Sequence, residues 1–135
     1  MRNLLLAVCL LGGFSVAQAA ETLTIGQTIK STLTSTDRIS DSGGRSKDYQ
    51  LTLKKGQLVA LNARSTVIDP ILILFKSDGS LLEENDDHGE STDALIVTTI
   101  PENGTYTLRV NSLAAEDADG QTTGEYSLRA MLVSE

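Results

Sequence analysis

The side chains best suited to chemistry lie in one acidic stretch of this chain. Residues 83–93 read Glu-Glu-Asn-Asp-Asp-His-Gly-Glu-Ser-Thr-Asp, so carboxylates and one imidazole are concentrated within a short segment. Calcium takes roughly six to eight oxygen ligands, and clustered carboxylates and carbonyls supply such oxygens. The segment therefore marks a candidate calcium site. Its candidate ligands are Asp69, Asn85, Asp86, Asp87 and Asp93.

Two interpretations of this acidic stretch stay open at the level of sequence. In one it binds calcium. In the other its side chains accept backbone N–H hydrogen bonds and hold turns in a solvated loop. The stretch does not follow the EF-hand pattern, because His88 falls where that pattern requires glycine when Glu83 is placed first. Calcium is therefore a candidate ligand, and no cofactor is required.

His88 is the only histidine in the chain. A small hydrolase that uses His88 with Ser91 or a nearby aspartate is one hypothesis, because an imidazole can act as a general base. A catalytic triad needs a nucleophile held against the imidazole, and the spacing of residues here does not supply that arrangement. Zinc is disfavoured, because zinc sites use several cysteine and histidine ligands, and this chain has one histidine and one cysteine, Cys9. We therefore predict that the protein is not an enzyme and has no catalytic residues.

One strand pattern occurs three times and predicts the scaffold that positions this stretch. Residues 47–53, 104–110 and 124–130 each contain Tyr-x-Leu-x followed by an apolar residue. Because side chains alternate between the two faces of a strand, the tyrosine, the leucine and the next apolar residue share one face. The residues between them face water. The pattern predicts an all-β, antiparallel sandwich in which each sheet has one wet face.

Further strands are predicted where apolar runs lie between turn signals. About eight or nine short strands at regular spacing, with no helical periodicity, are typical of a jelly-roll-like β-sandwich. The three tyrosines and Phe75 are assigned to its core. The remaining predicted strands are 22–25, 28–33, 58–63, 71–75, 81–82 and 94–100, and the predicted loops are 34–46, 83–93 and 112–123.

The first residues have the features of a secretory signal peptide. Arg2 precedes an apolar run over residues 4–16, and Ala17-Gln18-Ala19 is a small-x-small motif that predicts cleavage after Ala19. We predict a signal peptide at 1–19 and a single domain at 20–135, located in the periplasm or outside the cell. Removing Arg2 changes the net charge from −7 to −8. An acidic chain is a poor partner for nucleic acid or an anionic membrane.

Short motifs in a fixed order suggest a family. The run from about Gly26 to Val133 resembles the bacterial pre-peptidase C-terminal domain family. The motifs are Asp-Tyr-x-Leu-x-Leu-x-x-Gly-Gln at 48–57, Ser-x-x-x-Asp-Pro-x-Leu-x-Leu at 65–74, Asp-Gly-x-Leu at 78–81 with Asn-Asp-Asp at 85–87, Pro-x-x-Gly-Thr-Tyr-Thr-Leu-x-Val at 101–110, and Gly-x-Tyr-x-Leu at 124–128. One departure is Ile68, where an aromatic residue is common in the family.

The resemblance implies a jelly-roll-like sandwich that accompanies secreted proteases and is not itself catalytic. Related collagen-binding modules bind calcium and fibrous substrate. We therefore predict a secreted or periplasmic module that contacts a protein or an extracellular polymer through its loops. One alternative is a regulator, either an inhibitor or a folding helper, of a separately encoded secreted protease. Another is a structural protein of the cell envelope. Neither nucleic acid binding nor membrane insertion is expected.

Overall fold

The computed structural model describes residues 20–40, 43–86, 93–113 and 122–134. Within these ranges the chain forms ten strands and no helix, so no described segment is a helix able to span a membrane. The predicted leader and its cleavage point lie outside the described ranges, so this division of the chain stays a prediction. The strands are β1 (Glu21–Thr22), β2 (Thr28–Leu33), β3 (Arg38–Ile39), β4 (Gly43–Leu53), β5 (Leu58–Arg64), β6 (Pro70–Phe75), β7 (Leu81–Asn85), β8 (Ala94–Thr99), β9 (Gly104–Leu113) and β10 (Gly124–Ser134).

The strands form two sheets, which confirms the predicted all-β, antiparallel β-sandwich. One sheet has six strands in the order β1-β4-β9-β6-β7, with β3 also paired to β4, and the other has four in the order β2-β10-β5-β8. Every pairing is antiparallel except that of β1 with β4. The described residues contain more strands than the expected eight or nine, because β3, a strand of two residues, forms inside a predicted loop.

The repeated Tyr-x-Leu pattern builds the core between the sheets. Tyr49, Tyr106 and Tyr126 are at most 3 % exposed, as predicted. Leu108 and Leu128 are completely buried, and they come from opposite sheets. Burying a leucine or a tyrosine side chain removes apolar surface from water, and this is the main term that stabilises the sandwich.

Residues 34–46 were predicted to be a loop, and that prediction is wrong for part of the segment. Arg38–Ile39 forms β3, and β4 already begins at Gly43. Ser46 is buried and accepts a hydrogen bond from Arg38 Nε at 3.2 Å. A stretch rich in serine and glycine can form a strand when a neighbouring strand satisfies its backbone groups, and β9 does so here.

Other predicted boundaries also change. β7 extends to Asn85 and β9 to Leu113, which shortens two predicted loops, while β1 ends at Thr22. The assignment of Phe75 to the core is wrong. Phe75 pairs with Thr107 on the outer face of the six-stranded sheet, where the Arg109 guanidinium lies 4.9 Å from its ring centroid. The cation covers the ring, which explains how an aromatic side chain remains half-buried there.

Candidate binding surface

The predicted calcium ligand Asn85 has a structural role between the two sheets. It ends β7 at the edge of the six-stranded sheet, and its Oδ1 accepts a hydrogen bond from the Leu95 backbone N–H at 3.0 Å. Leu95 belongs to β8, an edge strand of the other sheet. The side chain therefore joins two strand edges that have no backbone ladder between them, and it satisfies a donor on an exposed edge.

Asp93 holds the chain just before β8. Its Oδ1 accepts a hydrogen bond from the Ser65 backbone N–H at 3.3 Å, and its Oδ2 lies 3.4 Å from Arg64 Nε. Asp69 is half-buried ahead of β6, and its carbonyl oxygen accepts a hydrogen bond from the Leu113 N–H at 2.9 Å. Asp86 is exposed at the bend after β7. The side chains of Asp93 and Asn85 thus already accept backbone hydrogen bonds that hold neighbouring segments together.

Calcium binding stays a prediction. Asp87, His88 and Ser91 lie outside the described residues. Within the described ranges, no three or more Asp, Glu, His or Cys side chains form a group that could hold a metal ion. The described members of the predicted ligand set therefore do not make a site by themselves.

A calcium site predicts a higher melting temperature in millimolar calcium than in chelator. A ligand at about 100 times its Kd stabilises the folded state by roughly 2.7 kcal/mol, which corresponds to a rise of several degrees. The measurement is thermal unfolding followed by circular dichroism. Asp86→Asn removes an exposed carboxylate without breaking a described hydrogen bond, and it should reduce the rise. Identical melting curves in calcium and in chelator would eliminate the site.

Two buried tyrosines connect the sheets through their hydroxyl groups. Tyr49 lies on β4 and Tyr126 on β10, and the two hydroxyls share a hydrogen bond inside the sandwich. Burial raises the pKa of Tyr49 above its ordinary value of 10.0. Burial, followed by the hydrogen bond to Tyr49, raises the pKa of Tyr126 further. Both phenols are therefore kept neutral, and the pair supports packing rather than proton transfer.

Tyr126→Phe should destabilise the protein by about 1–3 kcal/mol, because it leaves the buried Tyr49 hydroxyl without this bond. The double variant Tyr49→Phe/Tyr126→Phe should lose less than the sum of the single losses. Because both pKa values are raised on folding, the stability that the neutral phenols contribute is complete below pH about 10 and is lost as the pH rises above it. Urea unfolding between pH 8 and 11 measures both effects. A wild-type midpoint that stays constant across this range would contradict them.

On the outer face of the six-stranded sheet, one carboxylate pairs with two guanidinium groups. Asp48 Oδ1 lies 2.7 Å from Arg109 Nε, and Asp48 Oδ2 accepts a second hydrogen bond from Arg109 Nη2 at 3.1 Å. Arg38 Nη2 reaches the same carboxylate at 3.2 Å. The paired guanidinium of Arg109 also covers Phe75. Both arginines of this cluster are therefore held by Asp48.

The outer face of the four-stranded sheet carries cations that project into solvent. Lys30 on β2 and Arg64 on β5 lie directly opposite Ser127 of β10, one on each side. Arg129, two residues further along β10, lies between Thr28 and Asn62. The Arg64 side chain is 70 % exposed, and its one ion pair among the described residues is the long 3.4 Å contact from Nε to Asp93 Oδ2. Such an exposed ion pair contributes little to stability.

An open groove of about 610 Å³ crosses this face. Lys30 and Thr32 of β2 line one side, and residues 64–66 line the other. β10 lies between them with Glu125 and Ser127. The Ser65 hydroxyl donates a hydrogen bond to the Glu125 carbonyl at 2.7 Å, which fixes the far wall against the floor. Asp93 also lines the cavity, so two carboxylates, Asp93 and Glu125, accompany its two cations, Lys30 and Arg64. We define the polar groove as this cavity.

Beyond the polar groove the same face becomes apolar. Ala60 lies between Met131 and Val97 on the outer side of the sheet. Val97 is 51 % exposed and Met131 is 37 % exposed. We define the apolar row as Ala60, Val97 and Met131. Contiguous exposed apolar side chains next to polar groups are typical of interaction surfaces.

The sequence analysis did not find this surface. It assigned function to the loops because the strand faces showed no distinctive pattern. The residues concerned come from four strands, and strand order places them side by side: β2, β10, β5 and β8 are adjacent in space but far apart in the chain. A weak signal was present, since Lys30, Arg64 and Arg129 each occupy a solvent-facing position in a predicted strand or at its end.

Comparison with solved structures supports the fold assignment. Each match is low in sequence identity and covers most of both chains. The pre-peptidase C-terminal domain of collagenase from Bacillus anthracis has a TM-score of 0.62 and 15 % identity, covering 84 % of this chain and 96 % of that one. PliG of Aeromonas hydrophila, a periplasmic inhibitor of g-type lysozyme, has a TM-score of 0.58 and 18 % identity, covering 84 % and 99 %. CorA, a surface-associated copper-binding protein of Methylomicrobium album BG8, has a TM-score of 0.60 and 13 % identity, covering 86 % and 100 %.

Sequence comparison identifies the family. No curated protein sequence matches this chain. The sequence profile of the bacterial pre-peptidase C-terminal domain matches residues 45–112, which run from β4 through β9. This match covers half of the chain, and it includes the buried segment around β6 as well as two of the three Tyr-x-Leu strands. The chain therefore belongs to the bacterial pre-peptidase C-terminal domain family.

Proposed function

We propose that the protein is a non-catalytic, exported binding module that contacts a partner protein or an extracellular polymer. The observation that carries this proposal is the contrast between the two outer faces of the sandwich. On one face, Arg38 and Arg109 both pair with Asp48. On the other face, no ion pair among the described residues involves Lys30 or Arg129, which are exposed. Val97 and Met131 of the apolar row are exposed beside them. Membership in a family that accompanies secreted enzymes supports an accessory role.

The Ser65 hydroxyl group at the polar groove also favours binding over catalysis. Ser65 Oγ donates to the Glu125 carbonyl and accepts from the backbone N–H groups of Val67 and Ile68, at 3.0 Å each. A nucleophilic serine needs a general base at its hydroxyl. Here that position is taken by backbone groups, so Ser65 fixes the local loop.

A second candidate function is the regulation of a separately encoded secreted enzyme. The similar fold of PliG, described as a periplasmic lysozyme inhibitor, favours this candidate. Because similarity at 18 % identity concerns the fold, the candidate rests on the scaffold and not on shared contact residues. A regulator would bind one enzyme with a defined stoichiometry and would not be retained on insoluble polymers.

The test is retention of the tagged protein on envelope fractions and on collagen, chitin and peptidoglycan, in calcium and in chelator. Saturable retention on one polymer, or stoichiometric recovery of one protein, would support the binding function. Recovery of a single secreted enzyme whose activity changes would favour the regulator. Retention nowhere, together with measurable turnover of a substrate, would refute a non-catalytic binding role. Retention in calcium but not in chelator would support the predicted calcium site independently of the melting temperature.

A further inference from the structure

We infer that β8 docks a second copy of this chain, so that antiparallel β8–β8 pairing joins two four-stranded sheets into one continuous sheet. β8 forms one edge of the four-stranded sheet, and among the described strands it pairs with β5 alone. A sheet edge presents backbone N–H and C=O groups that can pair with an added strand. Because the occupant is a second copy, the inference goes beyond the binding function proposed above and does not depend on its partner.

Alternate backbone groups of β8 point away from the sheet to which the strand belongs. Just after the strand, the Ile100 N–H donates to the Gln57 carbonyl at 2.8 Å, so every second residue before Ile100 faces β5. At the other end, the Leu95 N–H donates at 3.0 Å to the side chain that ends β7, on the opposite side. Because backbone groups alternate along a strand, those of Val97 and Thr99 also face away from β5. Within the described ranges, neither of these two N–H groups donates a hydrogen bond.

The other sheet edges in the described part of the chain carry features that oppose pairing with an added strand. β1 and β3 are two residues long. β7 has a register shift against β6 and exposes Glu83 and Glu84, and β2 exposes Lys30. Short edge strands, irregular pairing and charged side chains are the usual protections of sheet edges. β8 reads Ala-Leu-Ile-Val-Thr-Thr, with no charge, no proline and no register shift against β5, so it is the edge that accepts a strand most readily.

The side chains of β8 suit pairing with their own copies. Leu95, Val97 and Thr99 lie on the outer face and are half-buried or exposed. A two-fold axis at Val97 places this residue opposite its own copy and Leu95 opposite Thr99. Aliphatic and β-branched side chains pack well when they lie opposite each other on neighbouring strands. Because Val97 ends the apolar row at the sheet edge, the row of one copy continues into the row of the other.

Charge and interface size predict a weak, reversible dimer. Two copies with a net charge of −7 each repel one another, but β8 itself carries no charge, so its pairing sets no like charges opposite each other within the strand. One pair of edge strands is a small interface, below about 1,200 Å², so we expect a Kd on the order of 100 μM. Added salt should tighten the dimer, because it screens the repulsion between the two copies.

Sedimentation equilibrium of the purified protein from micromolar to millimolar concentration measures the dimer. Val97→Lys should raise its Kd about tenfold, because the Val97 contact is lost and two lysines lie opposite each other. Val133→Lys is the matched control, since Val133 is also 51 % exposed but lies on β10, which has a strand on each side. That variant makes the same change in net charge and should keep the Kd within about twofold of wild type.

Three sedimentation results would overturn the inference. The first is a wild-type protein that remains monomeric at millimolar concentration. The second is a dimer that Val97→Lys and Val133→Lys weaken equally, because the contact would then lie away from β8. The third is a dimer that weakens as salt increases, because attraction between opposite charges would then hold it together.

Amide hydrogen exchange followed by NMR tests the strand edge directly. The N–H groups of Val97 and Thr99 should exchange rapidly at micromolar concentration and become protected at millimolar concentration. Those of Ile96 and Thr98 face β5 and should be protected at both, which provides an internal reference. Equal exchange of Val97 and Thr99 at the two concentrations, whether fast or slow, would overturn the inference. Protection that appears only when an envelope fraction is added to a monomeric protein would also overturn it and assign the edge to a strand of another protein.

Discussion

Replacing Gly44 with alanine is expected to destabilise the protein by about 3 kcal/mol or more. A Cβ atom at this position would lie 2.0 Å from the Ser112 carbonyl oxygen and 2.4 Å from Ser112 Oγ. The obstructing atoms include backbone, and Ser112 is held by bonds to the Arg45 N–H at 2.9 Å and to the Thr122 carbonyl at 2.7 Å. β4 and β9 would have to separate there. Urea denaturation with and without the substitution measures the loss.

Gly79→Ala is the matched control. Gly79 has a φ of +88°, which an alanine adopts at a cost of about 1 kcal/mol, but a Cβ there would meet nothing within 4 Å. Gly44 has the opposite combination, with steric obstruction and no positive φ. The comparison therefore separates close backbone approach from backbone conformation. A greater loss for Gly79→Ala than for Gly44→Ala would contradict the close approach of β4 to Ser112.

Leu108→Ala should destabilise the protein by roughly 3–4 kcal/mol. Leu108 is completely buried on β9, between Tyr49 of β4 and Leu74 of β6 in the pairing register. Truncating it removes apolar contact and leaves a cavity that a central strand of the sheet cannot close. Chemical denaturation gives the free energy, and an unchanged slope with denaturant would show that the variant unfolds in the same way.

Leu113→Ala provides the control on the same strand. Leu113 ends β9 and is 36 % exposed, so the same truncation removes a side chain that water already contacts. The expected loss is about 1 kcal/mol or less. Similar losses for the two substitutions would argue against the inward orientation of the Tyr-x-Leu strands.

The candidate site was predicted only in part. The sequence analysis found the acidic segment because its composition is unusual over a short stretch. It did not find the roles of Asn85 and Asp93, since their partners Leu95 and Arg64 lie on other strands. The polar groove was not predicted either, because its opposite walls are contributed by β2 and by the end of β5. Local composition reveals a charged loop, but a surface assembled across strands requires the strand order.

The sequence by itself determined the fold class and the orientation of the repeated strands. Alternation with a period of two residues forces Tyr49, Leu51 and Leu53 onto one face, and burial of apolar surface makes that face the inner one. The order of short motifs was also sufficient to identify the family. These properties follow from local patterns, which do not depend on which strands become neighbours.

Only the tertiary structure decided which side chains meet across the sandwich and over its surfaces. Phe75 lies on the outer face, where Arg109 covers its ring, although its apolar character alone predicted burial. Gly44 lies in a strand at a point where Ser112 of β9 approaches its backbone too closely for a side chain. Lys30, Arg64 and Arg129 share a face because β10 lies between β2 and β5. Each outcome depends on pairing between distant segments, whose free energy is gained only when the sheets assemble.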